Sequence, residues 1–104
     1  MKRGEVWWAD LAQPAGRRPV LLLSRNAAYA VRSLITIAPI TRTVRNIPVE
    51  VPLGAANGLP RPCVVNCDSI ATIPKALLTE RITVLGSSKL AAVNAAIRFA
   101  LSIP

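Results

Sequence analysis

Nine prolines and five glycines punctuate this chain of 104 residues, and only short apolar runs lie between them. A proline fixes φ and lacks a backbone donor, so it interrupts helix interiors and central strands alike. Such punctuation predicts many short strands rather than long helices. Glu5 to Leu11 (EVWWADL) is the first. Pro19 to Ser24 (PVLLLS) does not alternate, which predicts a second strand buried on both faces, joined to the first by the loop AQPAGRR. Ser33 to Ile40 (SLITIAPI), rich in β-branched residues, is the third, and a fourth follows the polar TRTVRN at about Ile47 to Val51. GAANGLPRP reads as a loop. Cys63 to Ile70 is the fifth strand and Ile82 to Leu85 the sixth, with room for one helical turn in TIPKALLTE between them.

Only the last segment changes period. From Ser87 or Ser88 as N-cap, Leu90, Val93, Ile97 and Leu101 recur at helical spacing. The polar face is thin, essentially Lys89, Asn94, Arg98 and Ser102, so this helix is expected to lie against the sheet or a partner. The whole predicts one domain over 1–104. It is mainly β, a small antiparallel sheet of about six strands, closed or nearly closed into a barrel because flat edges at this size invite aggregation, with a C-terminal helix. A chain this long buries about 60 to 70% of its unfolded surface and needs no staples. No run of about 18 apolar residues occurs, and Glu5 and Asp10 stand where a signal peptide needs an apolar stretch. The expectation is a soluble cytoplasmic protein with no membrane partner.

Thirteen Lys and Arg against five Asp and Glu leave a net charge of +8, and arginine supplies ten of the thirteen. The planar guanidinium fork matches phosphates and base edges better than a lysine does, so nucleic acid is the expected partner. Cys63 and Cys67, placed on one strand, would share a face about 13 Å apart, beyond disulfide reach. They are expected to be free, packed thiols. With no histidine in the chain, a closed zinc site within one subunit lacks ligands, and Ser-His-Asp and Cys-His nucleophiles are excluded. The carboxylates Glu5, Asp10, Glu50, Asp68 and Glu80 are spread singly, without the cluster that two metal ions need. An enzyme built from this set is expected to use neither metal nor cofactor.

Arginines and hydroxyls remain: Arg17, Arg18, Arg25, Arg32, Arg42, Arg45 and Arg61 among Ser24, Thr41, Thr43 and Ser69. Such a set binds a phosphodiester and stabilises the added charge of a pentavalent phosphorus. RNA suits it, because the 2′-hydroxyl is a nucleophile carried by the substrate.

Taken in order, RGEVWWADL, RPVLLLSRN, IAPITRT and VVNCDSIATI, followed by a C-terminal helix, resemble the MazF/PemK (Kid) toxin endoribonucleases of type II toxin-antitoxin systems over nearly the whole chain. The resemblance implies an SH3-like (CcdB/PemK-like) barrel with an added helix. It also implies a homodimer, an acidic antitoxin partner, and metal-independent cleavage of single-stranded RNA at short sequences, inhibiting translation and growth. The products it implies are a 2′,3′-cyclic phosphate and a 5′-hydroxyl. The family's catalytic arginine, before the proline of the second strand, falls on Arg18, and its threonine, in the PIT segment, on Thr41. The first loop, AQPAGRRP, is several residues shorter than the family's usual gating loop.

The remaining roles follow from chemistry. An arginine is a poor general base but stabilises a phosphorane and donates toward a leaving alkoxide. Arg17 is a grip on phosphate that could also exchange roles with Arg18. Arg25, Arg42 and Arg45 each follow a predicted strand and are expected on one rim, contacting the RNA backbone with Thr43. Trp7 and Trp8 point to opposite faces, one to the core, the other available to stack on a base. Asn66, Asp68 and Ser69 could read base edges, or Asp68 could stabilise a turn. Two alternatives stay open: a non-catalytic nucleic-acid-binding barrel, and a gyrase-poisoning toxin on the same fold.

Overall fold

The computed structural model describes residues 1–104. Seven strands form, one more than expected: β1 Glu5–Asp10, β2 Arg17–Leu22, β3 Leu34–Thr41, β4 Glu50–Leu53, β5 Cys63–Asn66, β6 Ala71–Pro74 and β7 Leu78–Val84. Helices are α1, a single turn at Ala28–Val31, and α2 at Ser87–Leu101, with 3-10 turns at Ala55–Asn57 and Lys75–Leu77. The second of these is the turn expected within TIPKALLTE. All pairings are antiparallel, in the order β4-β5-β3-β2-β1-β7, with β6 attached to β3. The end strands β4 and β7 do not pair with each other, so the bent sheet stops short of closure.

The bend is made in β3. One edge pairs with β2 through Val20 and Pro39, Leu21 and Ala38, and Leu22 and Ile37. The other edge is shared: β6 occupies Leu34 to Ile37, and β5 occupies Ile40 and Thr41. Pro39 has no N–H to give, and it sits where the pairing switches from β6 to β5. The switch carries the sheet round a corner and leaves the end of β3, Thr41, at the rim.

Both faces of the central strands are covered, as the unalternating PVLLLS predicts. Leu21, Ala38, Ile40, Val51, Val65 and Val93 belong to one cluster, closed by α2; Val20, Leu22, Ile35, Ile37, Ala9 and Tyr29 belong to the other, closed by α1 and Trp7. At about 25 cal/mol per Å2, each fully buried aliphatic side chain contributes about 1.5–3 kcal/mol.

Several sequence expectations need correction. The second strand begins at Arg17, not Pro19, and the last begins at Leu78, not Ile82, because pairing with β1 extends both. The fifth strand ends at Asn66, not Ile70, because the Asn66 side-chain oxygen accepts the Asp68 N–H at 3.0 Å and turns the chain; Cys67 therefore lies outside the strand. The fourth begins at Glu50, since the residues before it form a loop and turn. Neither Ser87 nor Ser88 caps α2: Gly86 is the N-cap, without a side-chain bond. Helix α2 buries Val93 and Ala96, while Lys89 Nζ donates to the Pro52 carbonyl and Asn94 accepts from Arg3 at 2.7 Å. Leu101, placed on the apolar stripe, is exposed. No helix is long and apolar enough to cross a membrane.

Candidate functional site

Arg17 and Arg18 open β2. Arg18 lies two places before Val20 and Thr41 two places after its partner Pro39, and both line the same clefts. Two clefts meet there. The first, about 570 Å3, is lined by Trp8, Arg17, Arg18, Arg42, Thr43 and Arg61, among others, over Pro19, Ile40 and Cys63. The second, about 340 Å3, runs from Arg18, Thr41 and Thr43 to Arg45, Glu50, Asn66 and Ser69 over Ile37, Pro39 and Ile73. Arg18, Thr41 and Thr43 line both.

The Nε of Arg18 is buried and has no hydrogen-bond partner. A buried donor left unpaired costs roughly 1–3 kcal/mol, so its position calls for an acceptor from outside the chain. Thr41 Oγ1 accepts the Thr43 N–H at 3.2 Å, which tethers the loop after β3 and leaves the hydroxyl proton free to donate. The Arg17 guanidinium lies over the Trp8 ring. Trp7 takes the other face, packs on the second core cluster, and donates its indole N–H to Glu5 at 2.9 Å.

The loop from Thr41 to β4 is held by Glu50, whose Oε1 accepts the N–H groups of Arg45 at 2.9 Å and Asn46 at 3.0 Å. Asn46 adopts φ 56°, a left-handed conformation that asparagine tolerates. The one ion pair of the protein joins Arg81 to Glu5 at 3.6 Å, away from both clefts, so no cleft arginine is neutralised by a carboxylate. No three residues among the cysteines and carboxylates gather as a metal-ligand set.

Of the residues expected at a site, Arg17, Arg18, Thr41, Arg42, Thr43, Arg45, Asn66 and Ser69 come together. Arg25 does not: it lies beyond the far end of β2, off the rim it was expected to share with Arg42 and Arg45. Asp68 lines neither cleft; its N–H closes the turn on Asn66, while Asn66 Nδ2 donates to Ser69 Oγ at 3.2 Å. Glu50 and the Leu59–Pro60 floor were not anticipated. A glycine- and proline-rich loop has no periodicity to say which strand it approaches, although the lone carboxylate after TRTVRN was visible. Burial raises the Cys63 thiol above its ordinary range, and burial with the nearby Asp68 charge raises Cys67 to about 11. Both cysteines are free and buried.

A bent antiparallel sheet with unneutralised arginine clefts at the start of an inner strand defines a small β protein shaped to hold a polyanion. The chain belongs to the PemK-like, MazF-like toxins of type II toxin-antitoxin systems, whose family model matches residues 2–101. It is 38% identical over 100 residues to the probable endoribonuclease MazF5 of Mycobacterium tuberculosis, covering 95% of this chain and 91% of that protein. Its fold is similar to that of the Mycobacterium tuberculosis toxin MazF-mt6, with a TM-score of 0.89, 39% identity, and 96% and 98% of the two chains covered. An endoribonuclease solved in complex with its cognate antitoxin, from a mycobacterial species, matches with a TM-score of 0.89 and 30% identity, covering 100% of this chain and 97% of that one.

Proposed function

We propose that this chain is a toxin endoribonuclease that cuts single-stranded RNA at short sequences. The substrate 2′-hydroxyl attacks the adjacent phosphorus as its proton passes to water, and the P–O5′ bond breaks as the 5′-oxygen takes a proton from water, leaving a 2′,3′-cyclic phosphate and a 5′-hydroxyl. Arg18 stabilises the pentavalent phosphorus and donates toward the leaving 5′-oxygen, and Thr41 donates to a non-bridging oxygen. Arg17, Arg42, Thr43 and Arg45 grip the RNA backbone. The unpaired, buried Nε of Arg18 beside Thr41 carries this reading. No metal is assigned a step, because the 2′-hydroxyl supplies the nucleophile and arginine the charge.

The reading includes one domain, a cytoplasmic location where RNA is available, a homodimer, and an acidic antitoxin as partner. A net charge of +8 and the exposed apolar end of α2, with Phe99 62% and Leu101 58% exposed, support an acidic, partly apolar partner. The test is incubation with a long RNA in EDTA. Discrete cuts that vanish in Arg18→Ala and Thr41→Ala support the proposal; intact RNA with preserved binding points to a non-catalytic binding protein, and intact RNA with arrested gyrase to a gyrase poison. Sedimentation at micromolar concentration tests the dimer, and a pull-down with the protein encoded beside it tests the antitoxin.

A further inference from the structure

Glu50 is the only carboxylate lining either cleft, which is a costly place for one in a groove that receives phosphates. Holding the loop occupies only one of its two oxygens. Its Oε1 takes both the Arg45 and Asn46 N–H groups, a task that the amide oxygen of a glutamine would perform without repelling RNA. No arginine or lysine forms an ion pair with Glu50, and Oε2 has no hydrogen-bond partner. A second acceptor is thus left free on a residue that lines a cleft with an apolar floor of Ile37, Pro39 and Ile73, a cleft lined also by Ser69. Because Arg18 lines this cleft as well, a base lying in it belongs to a nucleotide that flanks the phosphate held at Arg18.

We infer that the second cleft is a nucleobase subsite in which Glu50 Oε2 accepts a hydrogen from the exocyclic amino group of the bound base. The inference rests on the RNA-cleaving reading and adds its specificity. A carboxylate attracts the N4 amino group of cytosine or the N6 amino group of adenine and repels the O4 carbonyl of uracil. The apolar floor supplies a surface against which any base can lie, so the carboxylate makes the choice. Thr41 and Arg18 fix the phosphate, and Glu50 selects its neighbour.

Glu50→Gln separates selection from support. With the amide oxygen turned to the Arg45 and Asn46 N–H groups, its NH2 faces the cleft, and the acceptor there becomes a donor. Mapping cut ends by sequencing on a random RNA pool is expected to give an amino-bearing base at one position beside the cut for the native chain. In Glu50→Gln that preference moves from cytosine or adenine toward uracil by about tenfold or more, with the other positions unchanged. The same preference at every position in both proteins overturns the inference, whatever the rate. Binding of oligonucleotides with a 2′-deoxy residue at the cut, varied at the one flanking base, reads the subsite even if no RNA is cut. Native discrimination of cytosine and adenine from uracil, lost or inverted in Glu50→Gln, supports the inference; equal binding of all three by the native chain overturns it. A native thermal melt for Glu50→Gln is the accompanying control, and Ser69→Ala, expected to weaken the same preference several-fold, is the second variant.

Discussion

The guanidinium carbon of Arg17 lies 4.3 Å from the centroid of the Trp8 ring, inside the first cleft. A cation over an indole at a partly exposed site is stabilised by about 0.5–1 kcal/mol. The stacking holds Arg17 out along the cleft, whereas its neighbour Arg18 is drawn inward with its Nε unpaired. Two adjacent arginines of identical chemistry thus face the substrate in different ways.

Arg17→Ala is expected to raise KM several-fold for a short RNA while leaving kcat within about twofold. Its affinity should also fall less steeply with salt, the slope of log K on log salt shrinking by about 0.7 for the single lost phosphate contact. Fluorescence anisotropy across a salt series, with single-turnover cleavage beside it, measures both. A large fall in kcat would transfer the chemistry from Arg18 to Arg17.

Arg18→Ala is expected to lower the single-turnover rate by about 10²–10³, the usual cost of one lost charge-stabilising donor, with RNA binding weakened far less. Arg18→Lys should not restore the rate, because an ammonium lacks the Nε donor in its buried position.

Glu5 is the one buried carboxylate. Burial alone would raise its pKa, but the Trp7 indole N–H, the Lys2 backbone, the N-terminal charge and Arg81 together hold it below the ordinary value of 4.5. A lowered folded-state pKa adds stability above that ordinary value, and the gain is lost as pH falls through the folded one. Thermal melts should therefore show Glu5→Gln less stable than the native chain at pH 7, with the gap closing as pH drops below 4.5. A gap constant with pH would remove the charge from this account.

Gly58 ends the 3-10 turn with φ 88°, and a Cβ there would meet Thr83 Oγ1 of β7 at 2.5 Å. Gly58→Ala is expected to cost about 1–3 kcal/mol, from backbone strain and the clash together. It should also weaken RNA binding, since Leu59, Pro60 and Arg61 follow directly into the first cleft. Adding Thr83→Ala should recover part of the stability, and denaturant unfolding of the three variants measures it.

Cys63 and Cys67 are expected to resist alkylation at pH 8 in the folded protein and to react once it is unfolded, because burial keeps both thiols protonated. Mass spectrometry after a timed iodoacetamide pulse reads this directly.

The parts of the fold visible in the sequence are those where burial fixes residue type. Val20, Leu21 and Leu22 are fully buried on both faces of β2, and the run PVLLLS says so. Val93 lies on the helical stripe that the sequence marks. Strand β6 was not visible because three of its four residues, Ala71, Thr72 and Pro74, are exposed and only its pairing with β3 defines it. Helix α1 is one turn without a side-chain cap, too short to show a period. At the candidate site, the resemblance points to Arg18 and Thr41, and both line the two clefts. Arg25 was misplaced because a strand has two ends, and being next to one says nothing of which end meets the cleft. The role of Glu50 depends on two backbone N–H groups, which leave no trace in residue type.

Strand β3 takes its neighbours from residues 17–22 on one side and from 63–66 and 71–74 on the other. Chain segments so far apart must be brought together before Thr41 has walls around it, and closing such loops is slow compared with forming a local turn. A chain still emerging from the ribosome and ending before Asn66 has Arg18 and Thr41 but no second cleft, and one ending before β7 lacks a flank of β1. Products that stop before Asn66 therefore lack the second cleft, and the wall around Thr41 is completed only after most of the chain has been made.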